Sequence, residues 1–112
     1  MHPRITPSEQ HGVVAFHTCI EEQLHRVDLT AEELASLMNC SERQFYRRVK
    51  KLTEQSPNAI LKEARLQRAF QYLKKGQFST IGETAKAVGF KDPFYFSKQF
   101  YARFGVHPSK FE

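Results

Sequence analysis

Apolar positions recur at helical spacing along most of this chain. Val13, Phe16, Ile20 and Leu24 fall three or four residues apart, which predicts a helix over 9–26 with one buried stripe. Residues 1–8 hold two prolines and no periodicity, so they read as a tail or linker stub. A second helix runs from Thr30 to Met38, with Leu34, Leu37 and Met38 available for burial. Asn39 and Cys40 make a turn, and a third helix runs from Ser41 to about Thr53. Pro57 opens a long helix that ends near Gly76, a glycine suited to the position after a helix. Within that helix the apolar stripe changes sides. Ile60, Leu61 and Ala64 cluster early, while Leu66, Ala69, Phe70 and Leu73 cluster later on roughly the opposite face. A helix that packs first against one lobe and then against another needs this pattern. Further helices follow at Ile81–Val88 and Pro93–Phe104, separated by a turn at Gly89–Lys91. Gly105 caps the second of them, and Pro108 begins a final short turn. No stretch alternates with the two-residue period of a strand. The expected fold is all-α: two helix-turn-helix subdomains joined by a long central helix, about seven helices in all.

The two subdomains are copies of one pattern. TAEELASLMNCSERQFYRRVKKLTEQSP, from Thr30 to Pro57, matches TIGETAKAVGFKDPFYFSKQFYARFGVHP, from Thr80 to Pro108, with one extra residue in the second. Thr30 and Glu33 match Thr80 and Glu83, each a T-x-x-E capping box. Ala35 matches Ala85, a small residue where two helices cross closely. Ser41 matches Asp92, both good N-cap residues, and Gln44 completes a further capping box with Ser41. Phe45 and Val49 match Phe96 and Phe100. The organisation is a first helix-turn-helix at 30–56, a connector at 57–75 and a second at 80–105, within a domain of residues 9–112. Two helices joined by a short turn, present twice, point to insertion of two helices into DNA.

Helical geometry then separates the buried side chains from those that face outward. At about 100° per residue, Phe45, Val49 and Leu52 form the inner stripe of the third helix, and Arg43, Arg47 and Lys50 the opposite one, flanked by Gln44 and Tyr46. Arginine pairs bidentately with guanine and glutamine with adenine in a major groove. In the second copy the equivalent outward positions are Phe94, Lys98 and Tyr101, with Ser97 in place of Tyr46. Only one full charge points outward there. The aromatic rings either touch thymine methyls and sugars or pack on the domain's own surface. The expectation is an asymmetric reader, in which the first copy supplies most base readout and the second a methyl or shape contact. Ser41, Arg48, Lys51, Lys91 and Tyr101 are the candidate phosphate contacts, aided by the helix amino ends.

Charge strengthens the DNA reading. The net charge is +5, but it is uneven. Residues 1–40 carry two basic and six acidic groups, net −4, whereas residues 41–75 carry ten basic and three acidic, net +7. Residues 76–112 carry five basic and three acidic, net +2. A basic block on the third helix and on the helix after it is an electrostatic footprint for a polyanion.

These segments, together with the RLQRAF stretch of the connector, resemble the DNA-binding domain of the AraC/XylS family of bacterial transcription regulators. The stretch VGFKDPFYFSKQF followed by FGVHP looks like the family's signature. The resemblance covers about residues 10–112. It implies two recognition helices in successive major-groove segments, about 10 bp apart. It places base contacts on Arg43, Tyr46, Arg47, Phe94, Ser97 and Lys98, and implies activation more often than repression. Three positions depart from the family. Glu54 stands where glycine is common, Phe94 where a small polar residue is usual, and Tyr101 where a basic residue is frequent. The leading helix followed by DLTAEELA and LTEQSP is similar to domains at the end of two-component response regulators or hybrid sensor kinases. The expectation is a segment of a longer protein, with Met1 incidental to it.

Other chemistry is weaker. His17, Glu21 and His25 lie at i, i+4 and i+8 but offer no obvious fourth ligand, so a solvated polar face is expected rather than a metal site. No nucleophile–base pair, Gly-rich phosphate loop or carboxylate pair stands out. DNA-repair methyltransferases that carry a similar module need more cysteines than Cys19 and Cys40. No enzyme activity, metal or cofactor is expected, and the location is cytoplasmic, with no signal peptide or membrane span in the sequence. The partner is double-stranded DNA, with RNA polymerase as a second candidate. The isolated domain is expected to be a monomer, and dimerisation stays open for the full-length protein. The alternative is a protein-interaction module that docks RNA polymerase or a sensing domain and binds DNA weakly.

Overall fold

Thr30 and Thr80 open equivalent helices by the same hydrogen bond. Each hydroxyl accepts the backbone N–H three residues on, at 3.1 Å from Glu33 and 3.0 Å from Glu83. Both threonines have extended backbone, so one otherwise orphaned donor is satisfied at each helix start. The computed structural model describes the backbone of residues 7–111 and the side chains of residues 12–111. Its helices are α1 (Pro7–Gln23), α2 (Ala31–Leu37), α3 (Glu42–Thr53), α4 (Pro57–Lys75), α5 (Ile81–Ala87) and α6 (Pro93–Phe104), followed by a 3-10 turn at Pro108–Phe111. No described residue lies in a strand, so the all-α expectation holds.

Some boundaries differ from the sequence expectation. Of the expected tail, residues 1–6 lie outside the described residues, and Pro7 and Ser8 already belong to α1. Proline suits a first helical position, because its missing N–H has no partner there in any case. At the other end α1 stops at Gln23 rather than continuing to residue 26. Beyond this end, the Arg65 guanidinium donates to the carbonyls of Leu24 and Arg26. Leu37, expected in the core, is 51% exposed. The seven-residue α2 buries Leu34 and Ala35, and Leu37 lies about 110° round the helix from their midline.

The chain forms two compact units. Among the described residues, one comprises those up to Gln23 with Leu29–Leu61, and the other comprises Leu24–Asp28 with those from Lys62 onward. The side change of the α4 stripe has its explanation here. Ile60 and Leu61 are buried in the first unit, and Leu66, Ala69 and Leu73 in the second. The first core includes an edge-on contact of Phe16 with Phe45, ring centroids 5.3 Å apart. The second is built around Phe96 and Phe100, both fully buried. Phe104 lies 4.7 Å from Phe100, and Phe70 packs against Phe104 and Phe111 at 5.0 and 5.3 Å. Ten phenylalanines in 112 residues thus serve mainly to fill the second unit.

The repeat extends to the backbone. Asn39 and Gly89 occupy equivalent turn positions with φ of 58° and 88°. The next N–H returns to the helix in both copies, Cys40 to Ala35 at 3.0 Å and Phe90 to Ala85 at 2.9 Å. Glu54 and Gly105 end α3 and α6 in the left-handed conformation, each donating its N–H four residues back at 2.8 Å. Pro57 and Pro108 follow at equal spacing, and both are buried.

Candidate nucleic-acid interface

α3 begins with the capping box that Ser41 and Gln44 were expected to form. The Ser41 hydroxyl accepts from the Gln44 N–H at 3.2 Å, and the Ser41 N–H donates to Gln44 Oε1 at 3.5 Å. The second bond is long, so the Gln44 amide is only loosely held there. Phe45 and Val49 are buried and hold the inner side of α3 in its unit. Arg43, Gln44, Tyr46, Arg47, Arg48, Lys50 and Lys51 are all exposed. Five cations therefore project from one twelve-residue helix that carries a single acid, Glu42. Gln44, Arg47, Arg48 and Lys51 also line an open depression on the surface. Their spacing of three, four and seven residues puts them on one stripe. The structure thus brings two expected base readers, Gln44 and Arg47, beside two expected phosphate contacts.

α6 presents a different surface. Asp92 caps it, accepting the Phe94 N–H at 3.0 Å, and Pro93 supplies no N–H at all. The amino end expected to offer donors to phosphate is therefore occupied by a carboxylate, which repels one; Ser41 places no such charge at the start of α3. Lys91 is exposed just before this end, and Lys98 is exposed on the outward stripe. Ser97 is only partly exposed and so contributes less surface than its counterpart Tyr46. The two outward aromatics, which the sequence treats alike, separate. Tyr101 stacks on the His107 ring at 4.4 Å and 19°, while Phe94 is 85% exposed. The second basic residue of α6, Arg103, turns back to Glu63 on α4, with Nε 2.7 Å from the carboxylate. This bond holds the Glu63 carboxyl below its ordinary pKa. Lys98 is thereby the one basic residue on the outward side of α6.

Not every cation of the basic block faces outward. Arg65, on α4, is half-buried, and its Nε and one terminal nitrogen donate to the carbonyls of Leu24 and Arg26 at 2.9 and 2.6 Å. Burial lowers its pKa below the usual arginine value. Gly89 packs against this same guanidinium and the Leu24 carbonyl. Arg65 therefore positions a turn rather than meeting a polyanion, and sequence reasoning missed this role. The available signal was its place at the point where the α4 stripe changes sides, next to Ala64 and Leu66. Lys62 likewise donates to Gln99 at 3.2 Å.

His17, Glu21 and His25 are exposed, and His25 lies beyond the end of α1, off the expected helical face. Among the described residues no group of three His, Cys, Asp or Glu is placed to hold a metal. Burial and the neighbouring Glu22 raise the Cys19 pKa, which disfavours the reactive thiolate. Among the described residues no helix is long and apolar enough to cross a membrane.

Comparison with known proteins agrees with this geometry. A family model described as a helix-turn-helix domain matches residues 34–112. The chain is 36% identical over 97 residues to the HTH-type transcriptional regulator YidL of Escherichia coli, which covers 87% of this chain and 31% of that protein. It is 29% identical over 93 residues to Histidine kinase P4 of Formosa agariphila, 83% of this chain and 7% of that protein. The chain thus spans a third or less of these two relatives. Among solved structures, the C-terminal domain of AraT, a response regulator from Geobacillus stearothermophilus, superposes with a TM-score of 0.80 at 27% identity, covering 97% of this chain and 86% of that one. The DNA-binding domain of the global transcriptional factor AdpA, in complex with a target DNA, superposes with a TM-score of 0.80 at 26% identity, covering 89% and 88%. A matching helix-turn-helix model over most of the chain, these relatives and the six-helix architecture agree: the chain belongs to the AraC-type helix-turn-helix family, the DNA-binding domains of transcription regulators.

Proposed function

We propose that this domain reads double-stranded DNA asymmetrically, with α3 as the principal recognition helix and α6 as an auxiliary one, each in its own major-groove segment. The observation that carries this reading is the five exposed cations of α3 against the single outward lysine of α6. Arg43 and Arg47 are suited to guanine edges and Gln44 to adenine, while Tyr46 and Lys50 flank them. Arg48, Lys51 and the Ser41 end of α3 anchor phosphates on that segment. On α6, Phe94, Ser97 and Lys98 face bases. Lys91 and the Tyr101 hydroxyl are the phosphate anchors there, since Asp92 disfavours phosphate at the helix amino end. The domain is monomeric alone, because its internal repeat supplies the two reading heads that other helix-turn-helix proteins obtain by dimerising. As part of a longer bacterial regulator it directs that protein to promoters. The similarity to a response-regulator domain and to a histidine kinase supports a two-component context. RNA polymerase is the candidate second partner.

Retention of duplexes from a random pool at near-physiological salt, followed by sequencing, tests the reading. Two short enriched motifs about 10 bp apart are expected. Arg47→Ala should erase the stronger motif and Lys98→Ala should weaken only the other. A greater loss of discrimination in Lys98→Ala would reverse the assignment of the two helices. Retention without enrichment would leave a backbone binder, and no retention at any salt would favour a protein-docking module.

A further inference from the structure

Phe94 is 85% exposed, the highest value among the exposed large apolar side chains of the described residues. A single exposed apolar residue is ordinary on a soluble domain. What sets this one apart is its company on α6. Phe96 and Phe100 are buried, and Phe104 packs on Phe100. Tyr95 lies against Phe90, and Tyr101 stacks on His107. Phe94 is left in the first turn, on the outward stripe with Lys98 and Tyr101. Its backbone is nonetheless firmly held, by Pro93 before it and by the Asp92 carboxylate that accepts its N–H at 3.0 Å. The ring is thus presented from a capped first turn, and the protein itself covers little of it.

A phenyl ring neither donates nor accepts, so it cannot read the nitrogen and oxygen pattern of the major groove. The one feature there that it distinguishes by contact is the methyl group on C5 of a pyrimidine. Resting on the proposal that α6 enters a major groove, we infer that Phe94 is a specificity-determining residue that senses a pyrimidine C5 methyl, carried by thymine or by 5-methylcytosine. The equivalent residue of α3 is Arg43, whose chemistry suits guanine. The two copies therefore interrogate the same register position by opposite means, one by hydrogen bonds and one by apolar contact. A consequence for the ligand follows. Binding through α6 responds to cytosine methylation at a position where the unmethylated base gives Phe94 nothing to touch.

The test uses a duplex selected by the chain itself, with each thymine of the α6 segment replaced in turn by deoxyuridine. That change removes a methyl and keeps the pairing. One position is expected at which uracil weakens binding about fourfold, the effect of exposing one methyl-sized group. In Phe94→Ala the thymine and uracil duplexes should bind equally. At that position, with guanine opposite, 5-methylcytosine should bind more tightly than cytosine to the wild-type chain and equally to the variant. Phe94 is exposed enough that its loss leaves the fold intact, which an unchanged thermal transition verifies. Uniform indifference to uracil, or a methyl effect that survives in Phe94→Ala, overturns the inference while α3 recognition stands. Failure to bind any duplex overturns the DNA reading and this inference with it.

Discussion

Glu54 holds a φ of 63°, a left-handed conformation that a side chain makes unfavourable by about 1–2 kcal/mol. Its counterpart Gly105 takes the same conformation at φ 76° without that penalty. Glu54→Gly is therefore expected to stabilise the domain by about 1 kcal/mol in denaturant unfolding. Glu54→Ala, which removes the carboxylate but keeps the Cβ, should give no such gain. The sequence already marked Glu54 as a departure at a helix end, and the backbone now supplies the physical reason. The turn residues make the complementary point. Asn39 is exposed at φ 58°, a conformation that asparagine tolerates. Gly89, at φ 88°, would place a Cβ 2.7 Å from Arg65 Nε and closer still to the Leu24 carbonyl. Gly89→Ala should destabilise by about 2 kcal/mol or more, whereas Gly105→Ala, with open space around it, should cost about 1 kcal/mol. Equal losses in the two variants would mean that the contact with Arg65 contributes nothing.

At the scale of elements, sequence periodicity located every helix because each one buries a stripe. Capping residues fixed most starts to within a residue, at Thr30, Ser41, Thr80 and Asp92. The turn after α1 was not legible, because its Leu24 carbonyl is bound by an arginine 41 positions away in sequence. Nor could a helical wheel separate Phe94 from Tyr101. Both face outward on α6, and only the stacking of His107 from beyond the helix distinguishes them. The exposed side of α3 was legible almost entirely, since outward positions on an amphipathic helix follow from the inner ones. Its clustering of Arg48 and Lys51 with Arg47 leads to a prediction for the whole helix. If Arg48 and Lys51 meet phosphates, each alanine substitution should weaken binding to all sequences alike. It should also lower the slope of log affinity against log salt by about one. A change confined to one operator sequence would instead place that residue on a base.

For the whole molecule, bulk charge agrees with the DNA-binding family but does not say which of its cations face outward. The block of residues 41–75 is net +7, yet Arg65 caps backbone carbonyls and Lys62 bonds to Gln99. What remains outward is concentrated on α3. The division into two units was foreshadowed by the change of side along α4, because an apolar stripe follows whatever core it helps to fill. The assignment of Leu24–Asp28 to the second unit was not foreshadowed, since nothing local distinguishes that turn from its neighbours. The backbone equivalence of the copies has one more consequence. Left-handed helix ends and trailing prolines at equal spacing put positions 43, 47 and 50 in register with 94, 98 and 101. Those residues take no part in either core, so vocabulary can change while grammar is kept. A lineage of such domains is free to drift from one operator to another by exchanging a few outward side chains, with no intermediate that must refold.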